Sequence, residues 1–170
     1  MKKIAIFPGS FDPFTKGHED IVLRGLQVFD EIVIAVGHNA KKKRFFPIER
    51  MLNCIEKAFE NEPRIKVELY NELTVKFAQK HDARFILRGL RNTTDFEYEN
   101  AISQANRYVA EDIETFFLIT SPKYAYISSS IIREMYKYGQ SMEGFLPYDI
   151  KDLEGSWFLI KDNFANIFFA

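Results

Sequence analysis

Short apolar segments alternate along the chain with longer segments in which apolar residues recur every three or four positions. The short segments are rich in β-branched and aromatic residues, which is typical of strands. We predict strands over KIAIF (3–7), EIVIAVG (31–37), RIKVELY (64–70), RFILRG (84–89) and ETFFLI (114–119). The longer segments have helical spacing. We predict helices over residues 17–28, 47–62, 73–82, 95–110 and 128–139, with a last helical stretch after Pro147.

This regular alternation of strands and helices is typical of repeated βαβ units. Such units form a parallel sheet with helices on both faces. The sequence therefore predicts an α/β fold: one Rossmann-like domain over residues 1–170, built on a doubly wound parallel sheet of five strands. Asp95 and the serines at 128–130 are predicted to cap the helices that follow them.

Four predicted loops meet at the carboxyl edge of this sheet, which is where open parallel sheets bind their ligands. Each loop contains glycine, histidine, serine or basic residues of the kind that can bind an anion. The loops are PGSFDPFTKGH (8–18), GHNAKKKRFF (37–46), RGLRNTTDF (88–96) and TSPKYAYISSS (120–130).

Phosphate is the ligand that these loops suit best. Two helices begin at this edge, one with Gly17-His18 and one with the serines at 128–130. A helix start offers free N–H groups and a partial positive charge to a phosphate. Nearby side chains add positive charge: Lys41, Lys42, Lys43, Arg44, Arg88 and Arg91. Taken singly, each feature has an ordinary explanation as a helix cap or a solvated loop, but together they predict a phosphate-handling site.

The absence of several sequence motifs narrows the chemistry. The chain has no G-x-x-x-x-G-K-[ST] and no G-x-G-x-x-G, so a P-loop enzyme and a nicotinamide or flavin enzyme are disfavoured. The chain also has no G-x-S-x-G motif, so a hydrolase triad is disfavoured. The three histidines form no H-x-x-x-H pair, so we expect no histidine metal site. Cys54 has a spacing typical of a core-facing helix position rather than of a catalytic thiol.

The overall composition excludes further classes. A formal net charge of −1 argues against nucleic-acid binding through a basic surface. The N-terminal apolar run is too short for a signal peptide, and no apolar stretch reaches the ~20 residues of a transmembrane helix. We therefore expect a cytoplasmic protein with no nucleic-acid or membrane partner.

Three segments in this order and spacing resemble a known family. PGSFDPFTKGH matches the T-x-G-H form of the nucleotidyltransferase motif, and RGLRNTTDFEYE (88–99) and YISSSIIRE (126–134) complete the set. Together they resemble the bacterial phosphopantetheine adenylyltransferases of coenzyme A biosynthesis. The resemblance extends from about residue 3 to about residue 150.

The resemblance implies a reaction and a set of ligands. The family transfers AMP from ATP to 4′-phosphopantetheine, giving dephospho-coenzyme A and pyrophosphate, by direct displacement without a covalent enzyme intermediate. It uses Mg²⁺, which we expect to arrive with ATP rather than in a dedicated protein site. Coenzyme A and dephospho-coenzyme A are further expected ligands, and a homohexamer is the expected assembly.

The resemblance also implies roles for individual residues. His18, Lys42 and Arg91 are the expected catalytic residues. The expected contacts to phosphopantetheine come from Ser10, Lys42, Thr74 and Arg88, with Thr74 acting through its backbone. The expected ATP contacts come from Ser10, Phe11, His18, Gly89, Leu90, Arg91, Glu99, Tyr124, Ala125, Tyr126, Ile127, Ser128, Ser129 and Ser130.

Two alternatives stay open at the level of sequence. One is a related nucleotidyltransferase that acts on a pyridine mononucleotide, or that uses CTP with glycerol phosphate or choline phosphate. The other is a regulator on the same fold that binds a nucleotide without catalysis. The end of the chain, GSWFLIKDNFANIFFA (155–170), is more apolar than the polar helix in which the family's chains often end. We expect it to cover the chain's own core or a subunit contact, with a partly exposed tail as the alternative.

Overall fold

The computed structural model describes residues 2–38 and 43–154. Five strands form its sheet: Ile4–Gly9 (β1), Glu31–Gly37 (β2), Ile65–Tyr70 (β3), Phe85–Leu90 (β4) and Glu114–Ile119 (β5). The α-helices are Lys16–Gly25 (α1), Ile48–Ala58 (α2), Thr74–Lys80 (α3), Thr93–Val109 (α4) and Ser129–Lys137 (α5). Short 3₁₀ helices lie at Pro122–Tyr124 and at Ile150–Leu153, the second being the helical stretch predicted after Pro147.

All neighbouring strands are parallel, in the order β3-β2-β1-β4-β5. The chain builds outward from β1 to β3, then crosses back to place β4 on the other side of β1. The connections therefore diverge between β1 and β4, which leaves a crevice at the carboxyl ends of these two strands. This arrangement confirms the predicted doubly wound parallel sheet.

Alternate residues of the central strands point into two separate cores. On one face Phe7 and Ile34 pack against α1 and α2, in a cluster that includes the predicted core position Cys54. On the other face Ile6 and Val33 pack with side chains of α3. This alternation is the period of two expected for strands that are buried on both faces.

Several predicted helix boundaries were wrong. Helix α2 ends at Ala58 rather than at residue 62. Helix α1 ends at Gly25 rather than at residue 28, because the following N–H groups of Val28 and Phe29 both turn back to the Gly25 carbonyl. Helix α4 begins at Thr93 and is capped by Asn92, whose side chain accepts the Asp95 N–H at 2.9 Å. Asp95 is therefore not the cap, and its carboxylate is free to pair with an arginine.

Candidate active site

Two cavities open at the carboxyl edge of the sheet, on either side of the junction between β1 and β4. The larger has a volume of about 850 Å³ and extends toward β3, α3 and α4. The smaller has a volume of about 320 Å³ and lies between the starts of α1 and α5. Five residues line both: Pro8, Gly9, Ser10, Arg88 and Glu99. A group bound in one cavity can therefore reach a group bound in the other.

The loop between β1 and α1 is held in a single shape. A Cβ at Gly9 would lie 2.6 Å from the Phe11 ring, so only glycine lets that ring pack over the strand end. Phe11 itself has a φ of 44°, in the left-handed region that costs free energy for a bulky residue. Arg44 donates to the Phe11 carbonyl at 2.9 Å. The Asp12 carboxylate accepts the backbone N–H groups of Phe45 and Phe46, in the loop between β2 and α2, at 2.8 and 2.9 Å.

His18 is the third residue of α1, and it closes a capping box with the N-cap residue Thr15. The His18 N–H donates to Thr15 Oγ1, and the Thr15 N–H donates to His18 Nδ1 at 3.0 Å. Because Nδ1 accepts this hydrogen bond, the proton of the neutral ring lies on Nε2. The helix start therefore determines the tautomer, and Nε2–H is the donor that remains for a ligand.

The surroundings of His18 favour the neutral ring. Phe11, Phe14 and Phe7 enclose it, with ring centroids 5.1, 5.3 and 6.3 Å from its own. Burial, together with the positive charges of Arg88 and Arg91, lowers the pKa of His18 to about 3. His18 is thus suited to donate a hydrogen bond at neutral pH, rather than to transfer a proton.

Two arginines at the end of β4 pair with two carboxylates one turn apart on α4. Arg88 donates to both oxygens of Glu99, through Nε at 2.7 Å and through Nη2, and its Nη1 donates to the Pro8 carbonyl. Arg91 donates from Nε and Nη2 to Asp95, at 2.9 and 3.0 Å. Nη1 of Arg91 has no partner among the described residues. Both guanidinium groups are therefore oriented by carboxylates and retain N–H groups for an anion.

The three serines at the start of α5 have different contacts. Ser128 is the N-cap and accepts the Ile131 N–H at 3.2 Å. Ser129 donates to the Pro13 carbonyl at 2.8 Å, which ties α5 to the loop before α1. Ser130 accepts from Arg133 at 3.1 Å. Of the three predicted caps only Ser128 is confirmed, because Ser129 and Ser130 lie within the helix and make other contacts. The start of α5 faces the same cavity as the start of α1.

Most of the residues expected to contact ATP meet at the smaller cavity. Those that line it are Ser10, Phe11, His18, Gly89, Arg91, Glu99, Ile127, Ser128, Ser129 and Ser130. Leu90 is buried and lines neither cavity, and Tyr124, Ala125 and Tyr126 also lie outside the lining. The larger cavity is lined by Ser10, Thr74 and Arg88, three of the four residues expected to contact phosphopantetheine. The fourth, Lys42, lies outside the described residues.

Sequence reasoning missed the residues that orient the others. Thr15, Asp95 and Glu99 hold His18, Arg91 and Arg88, whereas the sequence suggested only a cap for Asp95 and an ATP contact for Glu99. His18 follows Thr15 by three positions, which is the spacing of a capping box, and this spacing could have revealed their pairing. The two carboxylates are four residues apart on one helix, so their shared face was also visible in the sequence.

Within residues 2–38 and 43–154, no helix is long and apolar enough to cross a membrane.

Burial raises the pKa of the Cys54 thiol to about 11, which makes this residue unsuitable as a nucleophile.

The fold and the site together define a nucleotide-binding α/β protein with two adjoining cavities. Residues 6–135 match the cytidylyltransferase-like family. A phosphopantetheine adenylyltransferase of Cytophaga hutchinsonii is 59% identical over 150 residues, which are 88% of this chain and 100% of that relative. Those of Flavobacterium johnsoniae and Syntrophotalea carbinolica are 52% and 42% identical, covering 86% and 89% of this chain and 95% and 91% of the relatives. The chain belongs to the cytidylyltransferase-like family and, within it, to the phosphopantetheine adenylyltransferases.

The lowered pKa of His18 leads to a prediction about its titration. The ring should stay neutral from pH 8 down to pH 5 in the folded protein, since burial and two arginines disfavour the charged form. In the unfolded chain the same ring should titrate near pH 6.5. The unfolded state then binds more protons, so the free energy of unfolding should fall as the pH drops below about 6.5.

NMR spectra of histidine-labelled protein would test this, with a His18→Gln variant to assign the signal and denatured protein as the control. A folded-state midpoint between pH 6 and 7 for His18 would contradict the prediction.

Proposed function

We propose that the chain transfers AMP from ATP to 4′-phosphopantetheine, giving dephospho-coenzyme A and pyrophosphate. The observation that carries this proposal is the junction of two cavities at Ser10 and Arg88, with His18 facing the smaller one. The family membership supports the identity of both substrates. The proposal assigns ATP to the smaller cavity and the acceptor to the larger one.

The smaller cavity has the features that a triphosphate requires. The starts of α1 and α5 both face it, and each offers first-turn N–H groups that have no partner within the helix. In our proposal, Gly17 keeps the start of α1 open to a phosphate. A Cβ at this residue would lie 3.5 to 3.8 Å from its neighbours, so packing alone does not demand glycine. Arg91 adds a fixed positive charge on one side.

The larger cavity suits a long acceptor that ends in a phosphate. Its wall combines apolar and polar side chains, from Tyr70 and Thr74 on one side to Ile102 and Asn106 on the other. Such a lining accommodates a flexible arm that contains both methyl groups and amides. In our proposal Arg88, Ser10 and Lys42 bind the acceptor phosphate at the inner end, next to the α-phosphate of ATP.

The proposed chemistry is a direct displacement. An oxygen of the acceptor phosphate attacks the α-phosphorus of ATP, the bond to the bridging oxygen breaks, and pyrophosphate leaves with the electron pair. The attacking oxygen is already anionic, so the step requires no general base. Catalysis then consists of positioning and of stabilising the charge on the transferring group. His18 Nε2–H is the neutral donor that we assign to an oxygen of that group.

We propose that a magnesium ion reaches this site bound to ATP. The cavity carboxylates Asp95 and Glu99 are both engaged by arginines. Within the described residues, no cluster of three or more histidine, cysteine or acidic side chains could hold a metal. The ion would then be held by phosphate oxygens and water, and it would lower the charge of the departing pyrophosphate. Chelation should therefore stop turnover without altering the fold.

We also propose a homohexamer that works in the cytoplasm, with coenzyme A and dephospho-coenzyme A as further ligands of these cavities. Support for the assembly comes from aromatic and aliphatic side chains exposed on α4 and at the end of β5, among them Tyr98, Tyr108 and Ile119. Six chains of 19.9 kDa would weigh 6 × 19.9, or about 119 kDa, in sedimentation equilibrium. A species of one chain would contradict the assembly.

The function is tested with purified protein, ATP, Mg²⁺ and 4′-phosphopantetheine, with mass detection of dephospho-coenzyme A. We expect turnover with this acceptor and little with pyridine mononucleotide, or with CTP and glycerol phosphate or choline phosphate. ATP binding without pyrophosphate release for any acceptor would indicate the regulator instead, and preference for another acceptor would indicate the related enzyme.

His18→Ala should fold normally and lose about 10²–10³-fold in kcat, because one preorganised donor to the transition state is removed. His81→Ala is the matched control, since His81 is a histidine that lines neither cavity. Retention of more than about a tenth of wild-type turnover by His18→Ala would refute the assigned role.

The two arginines should differ in the ligand that they serve. Arg88→Ala should weaken phosphopantetheine binding by roughly ten- to a hundredfold and ATP binding by less, because a hydrogen bond to a charged group is lost. Arg91→Ala should show the reverse preference, since Arg91 lines only the smaller cavity. Calorimetric titration of each variant with each ligand measures both effects.

Removal of Arg88 also leaves the Glu99 carboxylate without its partner. The double variant Arg88→Ala/Glu99→Gln controls for this unpaired charge, and it should keep the same preference. Equal weakening of both ligands in the single and double variants would contradict the division between the two arginines.

A further inference from the structure

The peptide group between Phe14 and Thr15 is hydrogen-bonded at both ends. Its N–H belongs to Thr15 and donates to His18 Nδ1 at 3.0 Å. Its carbonyl belongs to Phe14 and accepts from the Tyr148 hydroxyl at 2.6 Å. One peptide group thus joins Tyr148 to the ring of His18, although 130 positions separate these two residues (148 − 18).

Tyr148 belongs to a segment after α5 that makes a second hydrogen bond to the start of α1. The Lys16 N–H donates to the Phe145 carbonyl at 2.9 Å. The two hydrogen bonds from this segment therefore flank Thr15, the residue that contacts Nδ1. Burial raises the pKa of Tyr148, so its hydroxyl remains a proton donor throughout the working range of pH.

The hydrogen bond from Tyr148 to the Phe14 carbonyl strengthens the one from the Thr15 N–H to His18. A hydroxyl that donates to a peptide carbonyl withdraws electron density from the carbonyl, and the N–H of the same peptide becomes a stronger donor. The hydroxyl also fixes the plane of the peptide. The Thr15 N–H then fixes the rotation of the imidazole, and with it the direction in which Nε2–H points.

We propose that Tyr148 is a positioning residue for His18, acting through the Phe14–Thr15 peptide to aim Nε2–H into the smaller cavity. The effect on turnover rests on the function proposed above, whereas the effect on the His18 ring does not. Tyr148 contacts neither substrate in this proposal and lies outside both cavity linings.

A purely structural role for Tyr148 makes different predictions. Its hydroxyl also lies 3.6 Å from the Met51 sulfur, and its ring packs in the core between the sheet and helices α1 and α2, here called the main core. If only packing mattered, loss of the hydroxyl would lower stability and leave His18 unaffected. The experiment must therefore read the histidine directly.

The test compares Tyr148→Phe with Tyr136→Phe. Tyr136 also packs against the main core, and its hydroxyl donates to Glu154 at 3.0 Å, away from the Phe14–Thr15 peptide. Both variants keep the aromatic ring and should fold. Circular dichroism and thermal unfolding give the stability change of each.

We expect Tyr148→Phe to lower kcat by about 3- to 10-fold, the effect of weakening one neutral hydrogen bond. The KM values for ATP and phosphopantetheine should change by less than about twofold, because the lost alignment concerns the transition state. In the ¹⁵N spectrum of histidine-labelled protein without ligands, Nδ1 of His18 should move toward the position of a nitrogen with no hydrogen bond. Tyr136→Phe should leave kcat and this resonance at their wild-type values.

An unchanged His18 resonance in Tyr148→Phe would overturn the proposal, whatever happens to turnover. Equal losses of kcat in the two tyrosine variants would overturn it as well. If the wild-type protein made no dephospho-coenzyme A, the proposed function would fail, but the resonance would still decide whether Tyr148 positions His18.

Discussion

The parallel pairing of β1 with β4 is the constraint on which the site depends. It sets Ala5 beside Phe85 and Ile6 beside Ile86, so the two strands end together at the carboxyl edge of the sheet. The chain then leaves them in opposite directions, and the crevice between the departing loops becomes two cavities with a shared wall. Arg88 spans this junction, since its guanidinium group reaches the Pro8 carbonyl at the end of β1. In the proposed function, two anionic substrates meet there because the sheet brings these strand ends together.

The pairing of β1 with β4 also explains why the His18 ring favours its neutral form. Strand β1 and the loop after it carry the three phenylalanines that enclose the ring, and the end of β4 brings two arginines close enough to oppose its protonation. A charged histidine would attract phosphate more strongly in the ground state as well as in the transition state. A neutral donor of fixed direction instead favours the geometry in which charge develops, and this differential binding is what accelerates a reaction.

The sequence predicted the fold closely because its signals are local. Strand and helix periods, together with the loops between them, were sufficient to predict that these loops lie at one edge of the sheet. The contacts that orient the site were harder to predict from the sequence, because they join residues that are distant along the chain. Examples are Tyr148 with Phe14, and Arg88 with Glu99. The Asp95 cap was wrong for a related reason, since Asn92 and Asp95 compete for the same helix start and only the backbone angle of Asn92 decides between them. Thr74 and the loop serines line the expected cavities, but their roles toward ligands remain predictions.

The central claim is that AMP passes directly from one cavity to the other, without a covalent intermediate on the enzyme. The stereochemistry at the α-phosphorus tests this claim most directly, using ATP that carries a sulfur of defined configuration at that phosphorus. A single in-line displacement inverts the configuration, so the account predicts dephospho-coenzyme A of wholly inverted configuration. Retention of configuration would require two successive displacements, and therefore an adenylylated enzyme, and would contradict the account.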